Sequence, residues 1–319
     1  MSWIKQLIGA LSPYRYIIDY KMLEKERLDY CPACSSEVSK NAVIFSTLDR
    51  YGFPDTKHWC HFCDAFFLNP RLTSGSYQKF YDSGAYRCLI SAYSGKEEGH
   101  SLPQKRVESL VAVLKPIISE RQGGFSVLNV GGTRADFEVL SPFLNINKYL
   151  CLNPGESEAG SGYEVINSSF EDFTDLNNKF DLLFLLGTLN HLTLPGENFK
   201  KIASLMKSDS LFIFDFKDPV AKMLRTTQPI GALQFDHAVY PTRRTVEIML
   251  LAAGMKYIVN YDEKQRLYTF IASTSFVESN CIFSDLKERA VIESLRGRNK
   301  KMPRGRILKV IRNIWLNIK

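Results

Sequence analysis

Two close cysteine pairs constrain this chain more than any other feature: Cys31-Pro-Ala-Cys34, and Cys60-His61-Phe62-Cys63. A C-x-x-C segment folds as a tight turn with two thiolates on one side. Two such turns close a tetrahedral four-sulfur site, the arrangement that a structural zinc prefers. Soft thiolates also select zinc over harder cations. Each pair runs into turn-compatible residues, Ser35-Ser36 and Asp64-Ala65. The alternatives are a disulfide or a coincidence of spacing. His58 and His61 flank the second pair and could replace a thiolate, but four cysteines leave them no necessary part. A closed sulfur shell has no open position for water, so the metal is expected to be structural. Cys88, Cys151 and Cys281 are scattered and read as packing residues.

With 319 residues and 45% hydrophobic content, the chain can bury a sizeable core, as one large domain with appendages or as two domains. No apolar run approaches the ~20 residues that span a bilayer. The N-terminus lacks the charged leader and cleavage site of a secretory signal. Unpaired thiols beside a metal site fit a reducing cytoplasm. The net charge of +7 is unevenly placed: nine cations and no acid lie in the last 24 residues, Arg296 to Lys319, and without them the balance is −2. From Arg304 onward the tail has helical spacing. Ile307, Val310, Ile311, Ile314, Trp315 and Ile318 share one stripe, flanked by Arg304, Arg306, Lys309 and Arg312. Such a helix suits an anionic membrane surface, and equally a docked helix with its charges in water. Nucleic acid is not favoured, because a basic tail alone reads no groove. A second apolar stripe, Trp3, Ile4, Leu7, Ile8 and Leu11, stops before Pro13.

The expected organisation is a helical leader over 1–30, a zinc-binding module over 31–70, a connecting segment over 71–102, an α/β domain over 103–275 and a basic amphipathic tail over 276–319. Short strands are expected around 42–46 and 66–68, and a helix over 104–120. Then follow a strand at 126–130, a helix at 135–140, and strands at 149–152, 163–166 and 181–186. A helix at 197–206 precedes a strand at 211–216. A helix at 242–253 ends at Gly254, and strands at 256–261 and 267–273 form a tight pair. Strands alternating with helices imply a doubly wound, mostly parallel sheet, and the final pair implies an antiparallel edge.

The segment Val127-Leu128-Asn129-Val130-Gly131-Gly132-Thr133 runs from an apolar strand into a glycine turn and then a helix. In such sheets ligands bind outside the carboxyl ends of the strands. Gly131 and Gly132 lack Cβ and permit close approach of the main chain. The spacing is not G-x-G-x-x-G, so no dinucleotide is indicated.

Over about residues 31–275 the chain resembles the class I S-adenosylmethionine-dependent methyltransferases. More narrowly, it is similar to the branch with an N-terminal four-cysteine zinc module, which includes sugar C-methyltransferases and polysaccharide-cluster enzymes. The resemblance is carried by the cysteine pairs, Phe66-Phe67-Leu68-Asn69-Pro70-Arg71, Tyr77 to Tyr81, the turn at 131–132, Phe180 to Leu182 with Leu189 to Leu192, and Phe235-Asp236-His237. It implies a Rossmann-like seven-stranded sheet and S-adenosylmethionine held by Asn129, Gly131, Gly132, Thr133, Asn153, Leu186 and Gly187. Departures accompany the matches. Asn129 stands where the family turn has Asp, and Thr133 and Ala135 where it has Gly. Asn153 stands where an acid would meet the ribose hydroxyls, with Glu156 and Glu158 nearby as stand-ins. Asn190-His191 replaces Glu-His.

Methyl transfer needs a nucleophile aligned with the sulfonium methyl and a base for its proton. The resemblance makes His237 the candidate base, with Asp236 to position it and His191 to orient the substrate; Tyr81 and Tyr240 are candidate sugar contacts. Packing or capping is the alternative for each. The expected activity is methyl transfer to a sugar or glycan intermediate of surface-polysaccharide or related biosynthesis, at carbon or oxygen. Two other classes stay open: a degenerate fold serving as a membrane-side scaffold in glycan assembly, and an RNA methyltransferase using zinc and tail as a grip.

Overall fold

The computed structural model describes residues 14, 16–94, 104–118, 123–154, 160–224 and 233–276. In chain order the elements are β1 (Lys25–Glu26), α1 (Val38–Asn41), β2 (Ala42–Leu48), β3 (Pro54–Cys60), β4 (Phe66–Leu68), β5 (Arg71–Leu72), α2 (Ser74–Asp82), α3 (Ala85–Ser94), α4 (Gln104–Ile118), β6 (Phe125–Val130), α5 (Arg134–Leu140), β7 (Ile146–Leu152), β8 (Glu164–Ile166) and β9 (Phe180–Leu186). A 3₁₀ turn (Leu189–His191) leads to α6 (Pro195–Leu205), β10 (Met206–Lys217), α7 (Pro219–Leu224), β11 (Val239–Tyr240), α8 (Arg243–Ala252), β12 (Lys256–Asp262) and β13 (Leu267–Ser273).

The expected fold class is the observed one. Seven strands form a single sheet in the order β12-β13-β10-β9-β6-β7-β8. Strands β6 to β10 pair in parallel, and β13 runs antiparallel to both β10 and β12. The chain moves outward from β6 through β7 to β8, then returns to the other side of β6 as β9. That reversal makes the carboxyl ends of β6 and β9 the switch point where a doubly wound sheet offers a ligand crevice. The run at 182–185, and that at 127–130 apart from Asn129, are apolar on both sides because both faces of the sheet are covered.

The N-terminal part is not a separate body. Strands β2, β3 and β4 form a second sheet whose fourth member is β11, from between α7 and α8, in the order β11-β4-β3-β2. One apolar core runs from Cys31, Cys60, Cys63 and Phe67 to Leu183, Leu185, Phe212 and Phe214 of the large sheet. Where the leader is described it makes turns and β1, which pairs with β5, rather than a helix. The connecting segment contains α2 and α3, which the Tyr- and Ser-rich sequence hid. Residues 277–319, with the basic tail and Cys281, lie outside the described residues, as do Glu156 and Glu158. Among the described residues, no helix is long and apolar enough to cross a membrane.

Candidate functional site

The two cysteine turns share one backbone pattern. Ser35 N–H donates to the Cys31 carbonyl and Cys31 N–H to the Ser36 carbonyl; Asp64 N–H donates to the Cys60 carbonyl and Cys60 N–H to that of Ala65. Ser35 and Asp64 take positive φ, 60° and 63°. The result gathers all four Sγ atoms within 4.8 Å of one another, with Cys31 to Cys63 and Cys34 to Cys60 each 3.7 Å apart. Sulfurs about 2.3 Å from a tetrahedral zinc stand about 3.8 Å apart, so the set fits that ion. The mutual hydrogen bonds of the four thiols lower Cys34 and Cys60 and raise Cys31 and Cys63, the pattern of sulfurs crowded together and sharing protons. His58 and His61 are not in the cluster.

Both turns are clamped to the large sheet. Gly196 N–H at the start of α6 donates to the Pro32 carbonyl at 3.2 Å, and a Cβ at Gly196 would strike the carbonyl of Ala33. On the second turn, Thr245 Oγ1 in α8 donates to the Cys63 carbonyl at 2.8 Å and Arg244 Nε to that of Phe62 at 3.2 Å.

At the switch point, Gly131 has φ +71°. A Cβ there would collide with the side chain of Thr188, and one at Gly132 with that of Asn129. The chain's own packing therefore accounts for the lack of a Cβ at both positions, and it leaves the main chain bare on the side of the turn. Asn129 is buried and donates to the Tyr149 hydroxyl at 2.6 Å. Thr133 is the N-cap of α5 in a reciprocal capping box with Asp136, so its hydroxyl is committed to the helix rather than offered to a cofactor. Arg134 turns outward to Glu138. Asn153 Nδ2 donates to the Gly132 carbonyl at 2.7 Å, beside Cys151 Sγ at 2.8 Å from the same oxygen. The Asn153 amide oxygen remains to accept one hydroxyl, where a carboxylate would accept two. A nucleoside diol at this turn would therefore find one acceptor fewer at position 153 than a carboxylate would give it. Gly131→Ala is expected to cost about 1–3 kcal/mol of stability in urea unfolding, through the positive φ and the collision. Adding Thr188→Ala relieves the collision but not the φ strain, so it restores part of that loss.

Leu186 ends β9 opposite Asp215 of β10, and Gly187 N–H donates to Asp215 Oδ1 at 2.7 Å. Beyond them opens a cavity of about 370 Å³ lined by Gly187, Asn190, His191, Asp215, Gln234 and His237, with Arg50 and Tyr86 at its wall. His237 lies 47 residues from Asn190 and 187 from Arg50 in sequence, yet shares this space with them and with His191 because β11 folds back onto β4. Their rings are 4.5 Å apart, edge to face. The Tyr81 hydroxyl on α2 bridges His191 Nδ1 at 2.5 Å and the Asp236 carbonyl at 3.3 Å. His237 Nδ1 faces the Asn190 amide at 3.4 Å, and its Nε2 is 3.8 Å from Asp236 Oδ2. Asp236 is fully buried and accepts from Gln234 Nε2 at 3.0 and 3.2 Å. The Tyr240 hydroxyl is spent on the Gln234 main chain. Asp49, in the loop before β3, accepts from Tyr51, Phe53 and Phe235 N–H groups and so fixes the segment that carries His237. Neither Asp49 nor Arg50 carries a sequence motif; only the fold brings them here.

Burial holds the His237 imidazolium well below its usual range, and His191, Lys222 and Arg50 push the same way. Burial also lowers His191, partly offset by Asp236. Both imidazoles are therefore neutral at neutral pH. Because the unfolded chain takes up these protons below about 6.5, their burial costs stability as pH falls through that value. Asp49 acts in the opposite sense, since burial pushes it up to about 8. The stability difference between wild type and His237→Gln isolates the histidine: wild type should lose ground to the variant as pH drops below about 6.5, measured by urea unfolding at each pH.

No family model matches the chain, and no curated protein does. Solved structures similar to it include methyltransferases. The plantazolicin methyltransferase BpumL, in complex with pentazolic desmethylPZN analog and SAH, is 13% identical with a TM-score of 0.48, over 62% of this chain and 94% of that one. The CcbJ methyltransferase from Streptomyces caelestis is 12% identical with a TM-score of 0.44, over 59% and 96%. An O-methyltransferase family protein from Burkholderia thailandensis is 12% identical with a TM-score of 0.44, over 63% of each chain. Similarity at this level does not extend to activity.

Proposed function

We propose that this chain is a methyltransferase that uses S-adenosylmethionine and an acceptor bound in the histidine cavity, with His237 as general base. The observation that carries the reading is the buried His237–His191 pair in a cavity at the switch point of the sheet, next to the glycine turn. When bound, S-adenosylmethionine supplies an already electrophilic methyl group. Gly131, Gly132 and Asn153 would hold its nucleoside, with Leu186 and Gly187 at the cavity side. His237 takes the proton of the attacking hydroxyl, or of a carbon beside a carbonyl, and Asp236 stabilises the imidazolium from 3.8 Å. His191, held by Tyr81, orients the acceptor. A sugar or glycan intermediate of surface-polysaccharide or related biosynthesis is the acceptor class, on the resemblance of the Asp236-His237 segment and the cysteine module to the sugar C-methyltransferase branch. The cysteine cluster holds zinc as a structural ion.

Thr188 and Asn129 beside the glycines, and an amide at 153, favour a second reading: a degenerate fold that serves as a scaffold in glycan assembly. Titration calorimetry with S-adenosylmethionine and S-adenosylhomocysteine separates the two. Binding of both supports the enzyme; no heat at millimolar ligand supports the scaffold. Mass spectrometry of ligands carried through purification then identifies the acceptor.

A further inference from the structure

We propose that Arg50 makes the histidine cavity an anion-binding site, receiving a carboxylate or phosphate group of a ligand that lies beside His237. The inference rests on the cavity being a ligand site, and not on methyl transfer.

Arg50 lies in the loop between β2 and β3 and forms part of the cavity wall. Its guanidinium lies over the rings of Tyr51 and Tyr93, 4.7 and 4.5 Å from their centroids. Nη2 donates to the Tyr51 hydroxyl at 2.6 Å, while Nε is buried without an acceptor. Among the described residues, no carboxylate lies within ion-pairing distance of it. Lys222 on α7 is a second cation without an ion pair: its Nζ donates to Gln234 Oε1 at 3.3 Å, and Gln234 itself lines the cavity. Burial, followed by the charge of Arg50, depresses Lys222 to about 8. Two cations that repel each other behind a polar cavity are what an anionic ligand group would relieve. The stacked guanidinium is already fixed in one plane, so little side-chain entropy is lost when it clamps a carboxylate or phosphate. An anion there would also remove part of the field that keeps His237 a weak base.

The anion could belong to the acceptor or to the amino-acid end of the cofactor, and the experiment separates them. Zinc-loaded full chain is titrated with sodium pyrophosphate at constant ionic strength, following the histidine imidazole resonances by NMR. Wild type should show saturable shifts at His237 and His191, with binding about tenfold weaker or more in Arg50→Gln and an intermediate loss in Arg50→Lys. Equal binding by wild type and Arg50→Gln, or no shift in wild type, overturns the proposal; Arg50→Lys, which keeps the charge, guards against a folding defect in the glutamine variant. S-adenosylmethionine and 5′-methylthioadenosine, which lacks the amino-acid carboxylate, are then compared on wild type and Arg50→Gln. Selective weakening of the first assigns the site to the cofactor's carboxylate. No change in either assigns it to the acceptor. If neither nucleoside binds even wild type, the methyltransferase reading fails and the pyrophosphate result alone decides Arg50.

Discussion

Cys60→Ser is expected to release zinc and cost more than about 4 kcal/mol, with the histidine cavity lost in the same cooperative transition. The four-cysteine cluster does not close an appendage. The strand that follows His237 is β11, and its hydrogen-bonding neighbour is β4, which starts three residues after Cys63. Phe235 N–H is held by Asp49, in the loop between β2 and β3. The first cysteine turn is bonded to α6 and the second to α8. Slackening the sulfur cluster therefore frees β4, then β11, and then the segment that aims His237. Two measurements check this: zinc per chain by plasma mass spectrometry, and unfolding by urea with fluorescence and far-ultraviolet circular dichroism together. A separable module would unfold in its own transition and leave the large sheet intact. Stoichiometric zinc with an unchanged midpoint would falsify the four-cysteine site.

What was legible in the sequence follows from which residues faced which surroundings. Apolar runs such as 182–185 and 267–273 announced their strands because both faces of the large sheet are buried. The cysteine spacing announced a metal site because two like turns can gather four sulfurs. Strand β3 stayed hidden: Pro-Asp-Thr-Lys-His-Trp-Cys reads as a loop, yet Asp55 and Lys57 lie on one face and pair with each other while almost fully buried. Helix α2 is hidden by its polarity and α3 by its Tyr and Ser content; α2 rests on the Thr73 cap and on the burial of Tyr77 and Phe80. The glycine turn is legible in the sequence, but one packing reason for it is not, since Thr188 arrives from 57 positions downstream to fill the space beside Gly131. Arg50 and Asp49 gave no signal, because their roles come from the β4–β11 pairing, a contact between distant segments that no local pattern encodes.

His237→Gln should lower turnover by about 10²–10⁴-fold while leaving S-adenosylmethionine affinity and zinc content unchanged. Glutamine keeps a polar group in the cavity but cannot take up a proton, so the loss belongs in kcat. The pH profile adds a test that a merely structural role would not pass. In wild type the acid limb should lie well below 6.5, since burial, His191, Lys222 and Arg50 all resist the imidazolium. The variant's residual activity should lack that limb. His191→Gln should behave differently, because that ring is tied to Tyr81 and lines the cavity proposed for the acceptor: KM should rise more than kcat falls, and the acid limb should stay. If His237→Gln kept both the rate and the limb, the proton would have to leave by another group. Asp236 is a poor substitute, being sealed from the cavity at 0% exposure and bound to Gln234. Among the described residues at the cavity wall, His191 and Asp215, which already holds the Gly187 N–H, are then the remaining acceptors, and adding His191→Gln or Asp215→Asn to His237→Gln decides between them.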